Sequence, residues 1–473
     1  MPEMATDDYD LVRYNNLALP QTHPSRLRAL GKLSGLEPAA VETCSLLELG
    51  ASEGANLIPM AHRFPCARFV GVDLAREPIE RGRAFVREFG LRNLRLEIMN
   101  ALDIKAGFGQ FDYIVAHGLY GWTPAIVGDK ILQIMGALLS PQGIGFVSYN
   151  AQPAGHIRKM VREMMLFHTR DATDPRDKVL KAREMLAALA RPRDAGQLDA
   201  YDAVLIAQAA DLAQRPDSAL FHDDLAPVYE PVSLTGFVAH LGRHGMQYVN
   251  DAGTFDPQGD VAPSRLDLKG VESARVMAGG DRIAELQYQD YLRMRRFRQS
   301  MVCRAEIPVT LQWGSATAVG LHASTRVVEM SEGVFATTGE FRISTTHPAP
   351  VAYLRRLIGL WPASEPVSTG DAEVATALFS AGAIALDGTA SAAVRVGERP
   401  CADELIRFQA HRGDAIVTTL RHKPLQLDDG TRKLVALLDG TRDCERLALA
   451  AQCTVAAMRA ELDDLARNGL LIA

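Results

Sequence analysis

A short glycine-rich loop carries the strongest chemical signal in the sequence. Glu48, Gly50, Ser52 and Gly54 follow one another at intervals of two residues, after the apolar run SLLELG and before a helical pattern. Glycine lets a backbone approach a ligand closely, and a strand–loop–helix context is what nucleotide-type loops require. Glu48 would repel a phosphate but suits a ligand with a cationic amino-acid group. The spacing alone does not distinguish between a dinucleotide and S-adenosylmethionine as the ligand of this loop.

Polar residues also follow the next two apolar runs. Asp73 ends RFVGVD about 20 residues after the loop, where a carboxylate can accept both hydroxyls of a ribose. Both candidate ligands contain such a ribose. Asn100 and Ala101 follow the next run and are placed to meet an adenine edge. We therefore expect a nucleoside-bearing ligand along this edge of the sheet.

Rings and polar groups follow the fourth and fifth apolar runs, in AHGLYGW and SYNA. The expected acceptor-side or catalytic residues are His117, Tyr120, Trp122, Tyr149 and Asn150. Ligands bind at the carboxyl ends of strands in open α/β sheets, and aromatic faces attract cationic groups. The alternative is that the rings pack against a second domain. His117 is either a base near neutral pH or a structural residue.

Two residues before the loop have two possible roles. His23, in QTHP, either folds over the ligand as a lid together with Tyr14 or belongs to a helix cap. In the second case Thr22 and Pro24 fit the cap and first-turn positions, and the two roles are compatible.

Short apolar runs alternate with helical patterns in the first third, which predicts a parallel sheet covered by helices on both faces. The predicted class is α/β: a Rossmann-like core, a mostly helical middle domain and an α+β C-terminal domain with a winged-helix-like end. The predicted domains are residues 1–168, 169–304 and 305–473. Residues 281–304 are expected to form one long, polar and basic helix.

Composition limits the remaining function classes. The 473 residues are 47% hydrophobic and carry a net charge of −6, which suits a globular protein and disfavours a dominant nucleic-acid footprint. Residues 425–473 hold six basic against eight acidic residues, which favours protein contact over DNA. No apolar run reaches the ~18 residues of a membrane span, and no export signal is visible. We expect a cytoplasmic protein without membrane insertion, and nothing requires a metal ion.

On these motifs, residues 44–150 resemble the class I S-adenosylmethionine-dependent methyltransferases. The resemblance implies that Glu48, Gly50 and Gly54 line the methionine part, Asp73 the ribose and Asn100 with Ala101 the adenine; Ser52 replaces the usual glycine. The full expected cofactor set is Tyr14, His23, Glu48, Gly50, Ser52, Gly54, Asp73, Leu74, Asn100, Ala101 and His117.

Further segments, among them FHDDLAPVYEPV, HGMQY and QYQDYLRMRRFRQSMVCR, resemble bacterial methyltransferases with a methyltransferase regulatory domain. That group includes rickettsial lysine methyltransferases acting on outer membrane protein B. The resemblance implies S-adenosylmethionine as cofactor, a lysine of a protein or peptide as acceptor, and a possible homodimer. Two alternatives stay open: methylation of a small-molecule or peptide natural product, and a non-catalytic regulator that binds S-adenosylmethionine.

Overall fold

A computed structural model describes residues 12–14, 16–191, 198–253, 268–310, 313–336 and 342–473. A seven-stranded sheet lies at the centre of its N-terminal half. The strands are β1 (Ser45–Leu49), β2 (Arg68–Asp73), β3 (Leu94–Ile98), β4 (Phe111–Ala116), β5 (Leu139–Asn150), β6 (Met246–Asp251) and β7 (Phe297–Arg304).

The strand order is β3-β2-β1-β4-β5-β7-β6. Strands β1 to β5 run parallel, and β7 pairs antiparallel with β5 and β6. The order reverses between β1 and β4, and such a reversal opens a crevice at the carboxyl ends of the strands. The glycine loop and the segment after β4 therefore begin at the same crevice.

Both faces of this sheet are covered. Four helices contribute: α1 (Pro24–Leu33), α2 (Leu57–Arg63), α3 (Arg76–Phe89) and α4 (Ala125–Leu138). Neighbouring strand residues point to opposite faces, so Leu46 and Leu47 belong to two different buried clusters. Double coverage explains why these strands are apolar throughout rather than alternating.

A helical insert separates β5 from β6. Its helices are α5 (Ala154–Thr169), α6 (Pro175–Leu189), α7 (Ala200–Ala213) and α8 (Leu234–Arg243), with a π-helical turn at Leu220–Asp224 before α8. Helices α5 to α7 pack around a buried cluster of their own that includes Val161, Leu186 and Leu212. Helices α9 (Leu268–Ala278) and α10 (Arg282–Arg293) then connect β6 to β7.

This arrangement corrects two expectations. Residues 169–304 are not separate from the core, since β6 and β7 complete its sheet. Residues 281–304 are not one helix either, because the helix ends at Arg293 and β7 follows. Arg298 enters this buried strand because Asp290 and Asp251 accept its hydrogen bonds at 2.7 and 3.3 Å, and a buried charge requires such partners.

The next part of the chain packs against α1 through a shared core containing Leu27, Leu321 and Phe379. Its elements are β8 (His322–Ser324), β9 (Val328–Ser331), β10 (Val334–Ala336), β11 (Arg342–Ser344), α11 (Pro348–Leu360), β12 (Glu365–Pro366), α12 (Ala372–Ser380) and β13 (Ala385–Asp387). They form two three-stranded sheets and two helices.

The last unit has its own buried core around Leu434, Leu462 and Leu470. Its elements are α13 (Glu404–Arg412), β14 (Ile416–Thr418), β15 (Pro424–Gln426), α14 (Asp429–Leu437), α15 (Cys444–Ala450) and α16 (Val455–Arg467). Four helices beside a two-stranded antiparallel sheet have the outline of a winged helix. The α+β C-terminal part and its winged-helix-like end are thus confirmed. Among the described helices, none combines the length and apolarity of a membrane span.

Candidate cofactor and acceptor site

The glycine loop leaves β1 with left-handed backbone angles. Gly50 and Gly54 both have φ +76°, and Ser52 has φ +47°, a region that a residue with a Cβ enters at some cost. A Cβ on Gly82 of α3 would lie 2.3 Å from the carbonyl oxygen of Glu53. Gly82 therefore lets α3 pack closely on the loop, a requirement that the sequence analysis missed.

Asp73 lies beside this loop. Its Oδ2 accepts a hydrogen bond from the Ser52 amide at 2.8 Å, and its Oδ1 accepts one from the Ala75 amide at 2.9 Å. Burial raises the pKa of this carboxyl, against the effect of the backbone donors. The side chain is thus held at the loop, with oxygen lone pairs left for further donors.

Leu74, Asn100 and Ala101 lie at the same edge. Asp73 is paired with Ile98 at the ends of β2 and β3, so the residues that follow these strands are brought together. Asn100 accepts a hydrogen bond from the Leu102 amide at 3.0 Å and thereby caps the 3-10 turn Ala101–Asp103. Leu74 is 38% exposed, an open apolar surface next to the carboxylate.

Glu48 is buried at the end of β1. Its Oε1 accepts a hydrogen bond from Asn56 Nδ2 at 2.8 Å, and its Oε2 has no hydrogen-bond partner within the described chain. Burial raises the pKa of Glu48 to about 8, and the Asn56 hydrogen bond lowers it in part. An unpaired buried carboxylate oxygen suits a cationic ligand group.

Asn56 connects Glu48 to the winged helix. Its Oδ1 accepts hydrogen bonds from the Leu19 amide at 2.9 Å and from His422 Nε2 at 2.8 Å. Its Nδ2 also donates to Thr22 Oγ1 at 2.9 Å. His422 lies between β14 and β15 with φ +58°. We call Thr22, Glu48, Asn56 and His422 the Asn56 network.

His23 lies next to this network rather than in it. Its Nδ1 accepts a hydrogen bond from the Ser25 amide at 3.2 Å, and its ring lies 4.8 Å from that of His422. Burial lowers its pKa to about 3, so the ring is neutral. These contacts make His23 the N-cap of α1, one residue after the predicted cap position at Thr22. None of them supports the predicted lid.

The N-terminal segment does cross the glycine loop. Arg13 binds Glu53 with two hydrogen bonds of 3.0 and 2.9 Å. Asn16 Nδ2 donates to the carbonyl oxygen of Ala51 at 3.2 Å. Tyr14 donates to Asp223 Oδ1 of the helical insert at 3.4 Å. Tyr14 thus belongs to a segment that joins the loop to the insert, while Asn15 lies outside the described residues.

His117 follows β4. Its Nδ1 lies 3.0 Å from Ser148 Oγ, which accepts a hydrogen bond from the Gly118 amide at 2.9 Å. Burial lowers the pKa of His117 to about 4, so the ring is neutral and weakly basic. This environment supports the structural role rather than general-base chemistry.

Tyr120 and Tyr149 are placed in the core, which corrects the expectation that they line an acceptor pocket. They are 6% and 0% exposed, and their rings lie 5.3 and 4.6 Å from that of Phe237 on α8. Because β5 residues alternate between faces, Tyr149 turns to α8 whereas Asn150 does not.

Trp122 and Asn150 meet residues of the insert that the sequence analysis did not single out. Trp122 is edge-on to Tyr229 at 5.1 Å, and the Arg158 guanidinium lies 5.1 Å from the Trp122 ring centre. Arg158 is also 3.5 Å from Asn150 Oδ1 and donates to Asp224 at 2.7 Å.

We call these five residues the acceptor cluster: Trp122, Asn150, Arg158, Asp224 and Tyr229. Two of its buried polar atoms, Asn150 Nδ2 and the Tyr229 hydroxyl, have no hydrogen-bond partner among the residues described. Asp224 and Tyr229 lie in the segment FHDDLAPVYEPV, so a signal for them was present. Arg158 stands in an ordinary amphipathic helix, where nothing distinguishes it.

Three family models match the chain. Residues 46–143 match "Methyltransferase domain", residues 216–304 match "Predicted methyltransferase regulatory domain", and residues 398–469 match "PKMT, C-terminal winged helix domain".

Two uncharacterized proteins of Rickettsia prowazekii are similar in sequence. RP789 is 33% identical over 302 residues, which are 64% of this chain and 53% of RP789, so the match spans about half of that protein. RP028 is 39% identical over 178 residues, which are 38% of this chain and 71% of RP028.

Two solved structures of PKMT2 from Rickettsia typhi share the fold of nearly the whole chain. The structure in complex with AdoHcy has a TM-score of 0.83 at 21% identity, and another has 0.84 at 23%. Each match covers 97% of this chain and all of the other.

The sheet order, the glycine loop with Asp73 and the methyltransferase domain define a class I methyltransferase. This class uses S-adenosylmethionine, so the predicted enzyme class and cofactor are confirmed. The chain belongs to the family of these enzymes that carries a methyltransferase regulatory domain and a PKMT-type winged helix domain.

Proposed function

We propose that this protein transfers the methyl group of S-adenosylmethionine to the ε-amino group of a lysine in a protein or peptide. The observation that carries the proposal is the acceptor cluster. It lies at the end of β5, beside the segment that follows β4. The glycine loop begins at the same crevice of the sheet. Methyl transfer is an in-line displacement, so an enzyme accelerates it mainly through proximity and alignment.

The loop residues would hold the cofactor in the following way. Gly50, Ser52 and Gly54 provide close backbone approach to the methionine part, and Glu48 faces its ammonium group. Asp73 accepts the ribose hydroxyls while Leu74, Asn100 and Ala101 contact the adenine. Bound S-adenosylmethionine supplies an electrophilic methyl carbon on a sulfonium.

The acceptor cluster suits an amine that must lose its charge. A lysine attacks only as the neutral amine, and a nearby cation together with burial lowers an amine's pKa. Arg158 lies 5.1 Å from the Trp122 ring centre, and Arg162 lies 4.6 Å from that of Tyr229. The same rings can pack on the aliphatic stem of a lysine. Asn150 would orient the nitrogen through a hydrogen bond.

The full-length similarity to PKMT2 agrees with a protein substrate. The fold match includes the helical insert and the winged helix as well as the methyltransferase core. These added units supply surface beside the crevice, which a protein substrate requires more than a small molecule does. Dimerisation and a cytoplasmic location stay predictions.

The test is transfer of labelled methyl from S-adenosylmethionine into a bacterial extract that is then divided into protein and small-molecule fractions. We expect label on lysine side chains, located by mass spectrometry. Asp73→Ala serves as the control with weakened cofactor binding, and it should transfer less label at the same cofactor concentration. Label confined to small molecules would instead establish a natural-product acceptor, and binding of cofactor without any transfer would establish the non-catalytic regulator.

A further inference from the structure

Two histidines and an aspartate form a cluster that methyl transfer does not use. His240 lies in the last turn of α8 and His244 is the C-cap residue four positions later, so the two side chains lie on the same side of the helix end. Oδ1 of Asp129, on α4, lies 3.0 Å from His240 Nε2 and 2.8 Å from His244 Nε2. The three ligand atoms all lie within 4.8 Å of one another.

We propose that His240, His244 and Asp129 bind a divalent transition-metal ion of the Zn²⁺ type. Two imidazoles and one carboxylate suit Zn²⁺ and its neighbours, whereas Mg²⁺ and Ca²⁺ prefer ligand sets made of oxygen. In a tetrahedral zinc site with bonds near 2.0–2.1 Å, neighbouring ligand atoms are roughly 3.3 Å apart. The two separations between Asp129 and the histidines reach that value by shifts of a few tenths of an ångström.

The surroundings agree with such a site. Asp129 is 55% exposed and the two histidines are 13% and 15% exposed, so solvent can reach the ion and fill its fourth position. Tyr120, which is 6% exposed, holds the other nitrogen of His240 at 2.7 Å. Ligating histidines commonly have their second nitrogen fixed in this way.

The ion would connect α4 to α8 and so stabilise the segment between β4 and α4. That segment contains both Tyr120, which touches His240, and Trp122 of the acceptor cluster. The metal is therefore a structural clamp beside the acceptor side of the crevice. The inference rests on the three ligands and Tyr120 alone, so it does not depend on lysine being the acceptor.

The alternative is a hydrogen-bonded ion cluster in which Asp129 accepts an N–H from each imidazole. The test uses the untagged full chain, stripped of metal with a chelator. Zn²⁺ binding is measured by calorimetry, and Co²⁺ binding is followed by the visible absorption that tetrahedral coordination produces. We expect one equivalent of either ion.

Asp129→Asn and His240→Ala are expected to weaken Zn²⁺ binding by more than about 100-fold, and Tyr120→Phe by about 10–100-fold. His168→Ala is the matched control, because His168 is also a helical histidine near a carboxylate, 3.8 Å from Glu184; it should change nothing. Absence of stoichiometric Zn²⁺ and Co²⁺ binding by the wild-type chain would overturn the proposal. Equal affinity in wild type and His240→Ala would overturn it as well.

Discussion

The winged helix and the helical insert both reach the crevice, but through different kinds of contact. The winged helix does so through His422, whose Nε2 donates to buried Asn56 and thereby connects to Glu48. The insert does so through Arg158 and Tyr229, where ion pairs and rings surround buried polar atoms that have no hydrogen-bond partner in the described part of the chain.

This difference assigns separate tasks to the two regions. Both side-chain polar atoms of Asn56 are hydrogen-bonded, which fixes the position of Glu48 and leaves its Oε2 without a partner among the described residues. Hydrogen bonds between buried side chains favour a single conformation. In the acceptor cluster, unpaired buried groups are costly and are explained if a substrate pairs with them. We therefore expect changes near the winged helix to affect stability and cofactor binding, and changes near the insert to affect methyl transfer.

The largest effect is expected for Asn56→Ala. The change leaves Glu48, the Leu19 amide and His422 without their partner, and each unsatisfied buried group costs ~1–3 kcal/mol. We expect the free energy of unfolding to fall by about 3 kcal/mol or more, measured by denaturant titration, with weaker AdoHcy binding in calorimetry.

Asn93→Ala is the matched control for this change. Asn93 Nδ2 donates to three backbone carbonyls at 3.0 Å beside the same sheet, and none of these hydrogen bonds involves Glu48 or the winged helix. It should reduce stability and leave cofactor affinity unchanged. If both variants bind AdoHcy like the wild type, the winged helix does not contribute to the cofactor side.

Trp122→Ala tests the other half of the comparison. Removing the ring takes away one contact from Arg158 and one from Tyr229, so the acceptor is no longer aligned. We expect kcat to fall about 100-fold. Cofactor affinity should stay within about twofold by calorimetry, since the Trp122 ring packs on Tyr229 and Arg158 of the insert. A collapse of cofactor affinity would place Trp122 on the cofactor side and remove the distinction.

Asp73→Ala should weaken cofactor binding by ~1.5–3 kcal/mol, the range for hydrogen bonds to a charged group. Asp73 accepts its hydrogen bonds from Ser52 and Ala75, which belong to neither the winged helix nor the insert, whereas Asn56 bonds to the winged helix. Stability should therefore change less than in Asn56→Ala. Unchanged AdoHcy affinity would contradict the ribose assignment.

The sequence allowed the first half of the fold and the cofactor side to be predicted because their signals are local. Glu48 to Gly54 and Asp73 follow strands within 30 residues of one another. The acceptor cluster and the Asn56 network are made by long-range packing instead: His422 meets Asn56 across 366 positions. Tyr149 was misplaced because a ring in a strand is compatible with either face until the neighbouring helix is known.

The same long-range reason applies to the sheet. Strands β6 and β7 are separated from β5 by the helical insert, so alternation of strands and helices no longer indicated a shared sheet. Arg298 reinforced the error, since an arginine between basic neighbours suggests an exposed helix. Its burial depends on Asp251 and Asp290, which only the fold brings to it.

The smallest expected effect is a pH dependence of cofactor affinity. It tests whether the charge of Glu48 contributes to cofactor binding. Burial raises the pKa of Glu48 to about 8, so the ligand-free protein holds a proton there at neutral pH. Binding of an ammonium group requires the carboxylate, so AdoHcy affinity should rise about tenfold between pH 6 and pH 7.

The pKa of Glu48 is higher in the folded protein than in the unfolded protein. The contribution of this group to stability is therefore fully present below the unfolded pKa of 4.5 and is lost as the pH rises through the folded pKa of about 8. The melting temperature of the ligand-free protein should therefore fall between pH 6 and pH 8, and AdoHcy should reduce that fall. Glu48→Gln keeps the Asn56 hydrogen bond but cannot titrate, so both slopes should flatten. An affinity that rises equally in wild type and Glu48→Gln would mean that another group senses pH. The Asn56 network would then stabilise the loop without setting the charge that meets the cofactor.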